Sequence, residues 1–136
     1  MEVTVEYLGN AQFEASARGH RVLCDQPAEN RGADTGMTPP EFLLTALGTC
    51  AGYYAAEYLR ARSLPTEGLR VRVTAEKAAQ PTRLGSFGIE VTAPELDPRH
   101  ETGMLRAVKA CLVHNTLLHA PQIDIALTTR APATIG

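Results

Sequence analysis

The side chains best suited to covalent chemistry in this chain are three cysteines, Cys24, Cys50 and Cys111. Cys50 sits inside EFLLTALGTCAGYYAAEYL, where residues 42 to 56 contain no charge. Cys111 lies some sixty residues further on, in CLVHNTLLHAP. A cysteine can be a nucleophile, a metal ligand, a disulfide partner or a small buried apolar group. An odd number at wide spacing, with no C-x-x-C, argues against a disulfide framework, a thioredoxin-type pair and a zinc ribbon. Cys111 and His114 could supply half a zinc site, but nothing at recognisable spacing supplies the other half. Neither a metal nor a cofactor is expected.

A reactive cysteine must be a thiolate, and apolar burial opposes that by raising its pKa. Cys50 reads as mid-helix, where the helix dipole helps little. Cys111 reads as lying near the C-terminal end of a second helix, where a thiolate is disfavoured. Activation therefore calls for a cation from elsewhere, and Arg18, Arg21 and Arg31 are the nearest in sequence. His114 is one turn from Cys111 and could act on it; it could equally be an ordinary core or surface histidine. If the two helices pack together, the sulfurs can reach disulfide distance, with Cα atoms about 5.5 Å apart. Otherwise the thiols are inert core groups.

The elements that must hold these residues are legible as a coarse string. Residues 2–7 and 12–17 alternate polar and apolar, and 20–25 is a third short strand, giving an antiparallel meander with Cys24 near its end. Residues 26–40 are rich in Pro, Gly, Asn and Asp and read as a long loop. Thr38 caps a helix with Pro39 at its first position and Glu41 closing a T-x-x-E capping box. That helix runs to about Arg62, about 35 Å long. Being apolar nearly all round, it should be buried in the middle of the fold. Residues 68–79 and 83–96 form a hairpin. Asp97 then caps a second helix whose inner face carries Met104, Leu105, Val108, Cys111 and Leu112. Residues 122–130 read as a closing strand. The expectation is one α+β domain over 1–136, ordered βββ-α-ββ-α-β, with helices packed on antiparallel sheet.

Bulk properties exclude several classes. A net charge of −2 leaves no basic footprint for nucleic acid. The uncharged run is too short to span a bilayer, which takes about 20 apolar residues. MEVTVEYLGN lacks the basic and apolar regions of a signal peptide, so a cytoplasmic protein is expected.

Taken together, DQPAENRGADTGMTPPEFLLTALGTCAGYYAAEYL and CLVHNTLLHAPQIDIAL resemble the OsmC/Ohr family of peroxide-defence proteins, over nearly the whole chain. The resemblance is to the broad OsmC-like branch. It implies an intertwined homodimer with long central helices packed between sheets and two active sites at the subunit interface. It implies a thiol peroxidase in which Cys50 attacks an organic or lipid hydroperoxide and becomes a sulfenic acid. Cys111 then resolves it to a disulfide, and a dithiol, often protein-bound dihydrolipoamide, reduces that disulfide. Family members hold an arginine against the reactive thiolate, steadied by a glutamate ten residues before the cysteine. Glu41 stands nine before Cys50, half a turn round a regular helix, and is equally suited to the capping box. Arg31, then Arg18, are the arginine candidates. Many relatives carry proline where Leu112 stands.

Two other readings compete. The same fold can bind a small apolar ligand with little or no peroxidase activity. A hot-dog-type acyl-thioester domain also wraps sheet around a long helix, but it wants a polar or acidic catalytic group there, and residues 42–56 offer no carboxylate.

Overall fold

The computed structural model describes residues 1–130 of the chain, so the last six residues of the expected domain lie outside it. The elements run β1 (Thr4–Gly9), β2 (Gln12–Ala17), β3 (His20–Cys24), α1 (Pro39–Ala61), β4 (Arg70–Ala78), β5 (Arg83–Thr92), α2 (Glu101–Lys109) and α3 (Leu112–Leu118). Short 3-10 turns at Ala28–Asn30 and Pro98–His100 precede α1 and α2. The architecture is mixed α+β with two antiparallel sheets, β1-β2-β3 and β4-β5.

Local chemistry explains the boundaries. Gly9 and Asn10 take positive φ in the first turn, and Arg18 and Gly19 do so in the second, which lets two short connections reverse the strands. Phe13 pairs with Cys24 and Ala17 with His20, so β2 and β3 stay in register to their ends. α1 opens on the expected capping box: the Thr38 hydroxyl accepts from Glu41 N–H, and the Glu41 carboxylate accepts from Thr38 N–H.

α1 lies on the β4–β5 hairpin. A Cβ at Gly48 would come within 2.9 Å of Val73 Cγ2, so glycine there allows helix and sheet to approach closely. Beyond this contact Ala51, Ala55, Tyr58 and Leu59 of α1 meet Met104 and Val108 of α2 in the main core. An isolated pair of strands is marginal in water, and α1 supplies the cover that β4–β5 needs.

Three expectations are corrected. α1 is not buried all round: Leu43, Thr45, Ala46, Thr49 and Tyr53 are exposed, and within one chain only the face toward the hairpin and α2 is covered. The second helix is not continuous. It stops at Lys109 and restarts at Leu112, with Cys111 as the N-cap of α3 rather than near a C-terminal end. Residues 122–130 form no strand; Ile123, Ile125 and Leu127 are 77%, 93% and 88% exposed. Strand formation needs a paired edge and a face to bury, and the alternating tail pairs with neither sheet and leaves its apolar side chains exposed.

Candidate active site

Two elements bring the cysteines together. α1 carries Cys50 half-buried toward α3, and the break before α3 places Cys111 at its cap, fully buried. The Cys111 thiol and the backbone N–H groups of Val113 and Leu112 are the neighbours that favour a negative charge on the Cys50 sulfur. Cys111 Sγ itself accepts from His114 N–H at 3.5 Å. The first turn of α3 therefore directs its otherwise unpaired donors at two sulfurs.

The electrostatic outcome differs for the two thiols. Burial pushes Cys50 up, but the Cys111 hydrogen bond and the Val113 and Leu112 N–H groups outweigh it, and the net shift is downward. Burial pushes the Cys111 thiol up, and its bond to Cys50 adds to this, so it holds its proton. Cys50 is thus the more acidic of the two thiols. That division suits nucleophilic attack followed by disulfide formation.

The other expected site residues lie as follows. Glu41 Oε1 accepts from Thr38 N and Thr38 Oγ1, both at 2.9 Å, so it is engaged at the start of α1. Arg31 caps the Ala28–Asn30 turn with positive φ, its N–H bonded to the Ala28 carbonyl at 3.0 Å. Arg18 sits in the β2–β3 turn. Neither arginine is among the groups that shift Cys50, and neither pairs with a carboxylate among the described residues. Cys24 ends β3, with burial and the adjacent Asp25 carboxylate both raising its pKa. Among the described residues no cluster of His, Cys, Asp or Glu could hold a metal, and no helix is long and apolar enough to cross a membrane.

Sequence reasoning passed over Asp25. This carboxylate is fully buried and organises the loop that leads into α1. It accepts from Thr35 Oγ1 at 2.6 Å, Gln26 N at 2.7 Å, Thr35 N at 3.0 Å and Ala33 N at 3.2 Å. The Thr35 hydroxyl is the chief reason its pKa lies far below the ordinary carboxylate range, with burial opposing and backbone donors helping. An aspartate directly before a Gly- and Pro-rich loop was the available signal, since Asp side chains bond local backbone N–H groups.

A cleft of about 1160 Å³ opens between α1, β5, α2 and α3, and His114, three residues after Cys111, lines it while the cysteines do not. Its walls include Leu43 and Leu47 of α1, Phe87 of β5, Met104 of α2, and His114 and Leu117 of α3. Leu47 lies one turn of α1 before Cys50.

Comparison with known proteins gives this arrangement a family. The family model described as OsmC-like protein matches residues 32–126, most of the chain and both cysteine-bearing elements. The chain belongs to the OsmC-like family. Solved structures share the fold. A Psychrobacter arcticus protein named for osmotic stress and detoxification is 24% identical with a TM-score of 0.76, over 84% of this chain and 85% of that one. An OsmC-like protein from Mycoplasma pneumoniae is 20% identical with a TM-score of 0.73, over 88% and 87%. An organic hydroperoxide resistance protein from Legionella pneumophila is 12% identical with a TM-score of 0.59, over 85% and 87%. No curated protein matches the sequence.

Proposed function

We propose that this OsmC-like protein reduces organic hydroperoxides to alcohols with Cys50 as the attacking and Cys111 as the resolving cysteine. The observation that carries the reading is the meeting of α1 and α3, which sets the free Cys50 thiol beside the free, buried Cys111 at the α3 cap and lowers the Cys50 pKa. The Cys50 thiolate attacks the terminal peroxide oxygen; the O–O bond breaks and the alcohol leaves. The resulting sulfenic acid condenses with the Cys111 thiol to give a disulfide and water. A dithiol, free or on a lipoylated protein, returns both thiols by exchange. A reducing cytoplasm suits such a cycle.

The helix N–H groups supply part of the stabilisation that was expected from a cation. Arg31, then Arg18, remain the side chains proposed to add positive charge, and Glu41 is proposed to act through the geometry of α1. The working unit is proposed to be a homodimer. The open α1 face around Tyr53, the exposed Val5, Tyr7 and Val22 of the meander, and the alternating tail would be covered by a second copy. A partner strand would also give residues 122–130 an edge to pair with.

The test is stoichiometric. One equivalent of cumene hydroperoxide is added to reduced protein, and peptide mass mapping is expected to find a Cys50–Cys111 disulfide that Cys50→Ser abolishes. If both wild-type thiols survive, the peroxidase reading fails. The apolar cleft would then favour the second reading, a binder of small apolar ligands.

A further inference from the structure

Buried polar atoms in folded proteins are nearly always hydrogen-bonded, and an exception calls for a cause. Nδ1 of His114 is such an exception: it is enclosed and has no partner among the described residues. A neutral imidazole carries one proton, on one of its two nitrogens. On Nδ1 that proton would be a buried, unmet donor, which folded proteins tolerate less well than an unused acceptor. The proton therefore belongs on Nε2, the nitrogen that is not enclosed. His114 lines the cleft, whose walls close by are the apolar side chains of Leu47 and Leu117. Its backbone N–H is meanwhile bonded to the Cys111 sulfur. A hydrogen-bond donor thus stands on the cleft wall, three residues from Cys111, next to the apolar Leu47 and Leu117.

We propose that His114 receives the peroxide end of the substrate, with Nε2–H donating to the oxygen that bears the alkyl group. The alkyl group itself lies along Leu43, Phe87, Met104 and Leu117. This rests on the peroxidase reading and adds a catalytic residue to it. As Cys50 attacks the terminal oxygen, an S–O bond forms and the O–O bond breaks. The electron pair leaves with the alkyl-bearing oxygen, beside Nε2–H. The alkoxide takes a proton from solvent and departs as the alcohol. The donor is strongest where the charge develops, so it acts on the transition state more than on the bound peroxide.

The experiment uses full-length wild type, His114→Gln and His114→Phe, with circular dichroism melts to establish folding. Stopped-flow oxidation by cumene hydroperoxide is measured beside NMR-detected binding of 2-phenyl-2-propanol, the alcohol that this peroxide yields. The Phe variant is expected to be oxidised roughly 100- to 1000-fold more slowly and to bind the alcohol more weakly, in line with the loss of one oxyanion donor. The Gln variant, which keeps an N–H at that reach, should stay within several-fold of wild type. Equal rates and binding in the Phe variant overturn the inference. So does an equal loss in folded Gln and Phe variants, which would mean that ring shape matters and the donor does not. If wild-type Cys50 is not oxidised at all, the peroxidase reading falls alone and alcohol binding decides: dependence on His114 sustains the donor, and independence sinks it.

Discussion

The Cys111 sulfur caps α3, accepting from His114 N–H at 3.5 Å, and the same thiol is the chief group that lowers the Cys50 pKa against burial. The thiolate is thus supported by a helix start and a neighbouring thiol. Removing Cys111 should raise the Cys50 pKa. The pH midpoint of iodoacetamide alkylation at Cys50 is expected to lie higher in Cys111→Ala than in wild type. A midpoint that stays put or falls would show that the neighbouring thiol does not support the thiolate.

Leu112 occupies the first position of α3, where proline is well tolerated because its missing N–H has no helical partner. Here that N–H is one of the groups that lower the Cys50 pKa. Leu112→Pro should keep the fold, with a melting temperature within a few degrees of wild type, yet move the alkylation midpoint upward. An unchanged midpoint in a folded variant would remove the backbone donor from the account.

Asp25 links loop order to pH. Its folded pKa is depressed, so its contribution is present above the unfolded carboxylate value, about 3.9, and is lost as pH falls below it. Thermal melts of the wild type should lose stability on acidification through that range. Asp25→Asn should melt lower at neutral pH and show a flatter acid limb. Parallel acid limbs would assign the acid sensitivity to other carboxylates.

The capping box separates two roles for Glu41. Thr38→Ala should cost about 1 kcal/mol in urea unfolding, the usual worth of such a cap. Glu41→Gln can keep the box, and if Glu41 acts only there, it should leave both stability and the rate of Cys50 oxidation within about twofold of wild type. A large rate loss at unchanged stability would instead give the carboxylate charge a direct part in the chemistry.

Packing of α1 on the hairpin can be tested at Gly48. Gly48→Leu drives a side chain into Val73 and should destabilise by about 1–3 kcal/mol, the usual range for overpacked cores. Val73→Ala in the same chain should recover part of that loss. Independent, additive effects would mean that the two residues do not press on each other.

Much of the fold was written in short-range patterns. Alternation located β1 to β5, and Thr38 with Glu41 marked the start of α1 because caps and strands are local devices. The break before α3 was not legible. Met104, Val108 and Cys111 keep a helical spacing across it, and no Gly or Pro marks Ala110–Cys111. The spacing correctly put Cys111 on the core side but hid that it caps a helix, which reverses the sign of its local electrostatics. Asp25 was missed because its partners, from Gln12 to Thr35, converge only once the loop folds. The tail kept its strand pattern without forming a strand, since pairing depends on an edge elsewhere.

The break between Lys109 and Leu112 has a mechanical consequence. Cys111 stands outside both helices, with φ −59° and ψ 130°. A cysteine fixed within one long helix could approach another sulfur only by dragging a rod through a packed core. Here the adjustment that closes the sulfurs to the about 2.05 Å of a disulfide falls on a two-residue junction, while α2 is anchored separately on Tyr58 and α1.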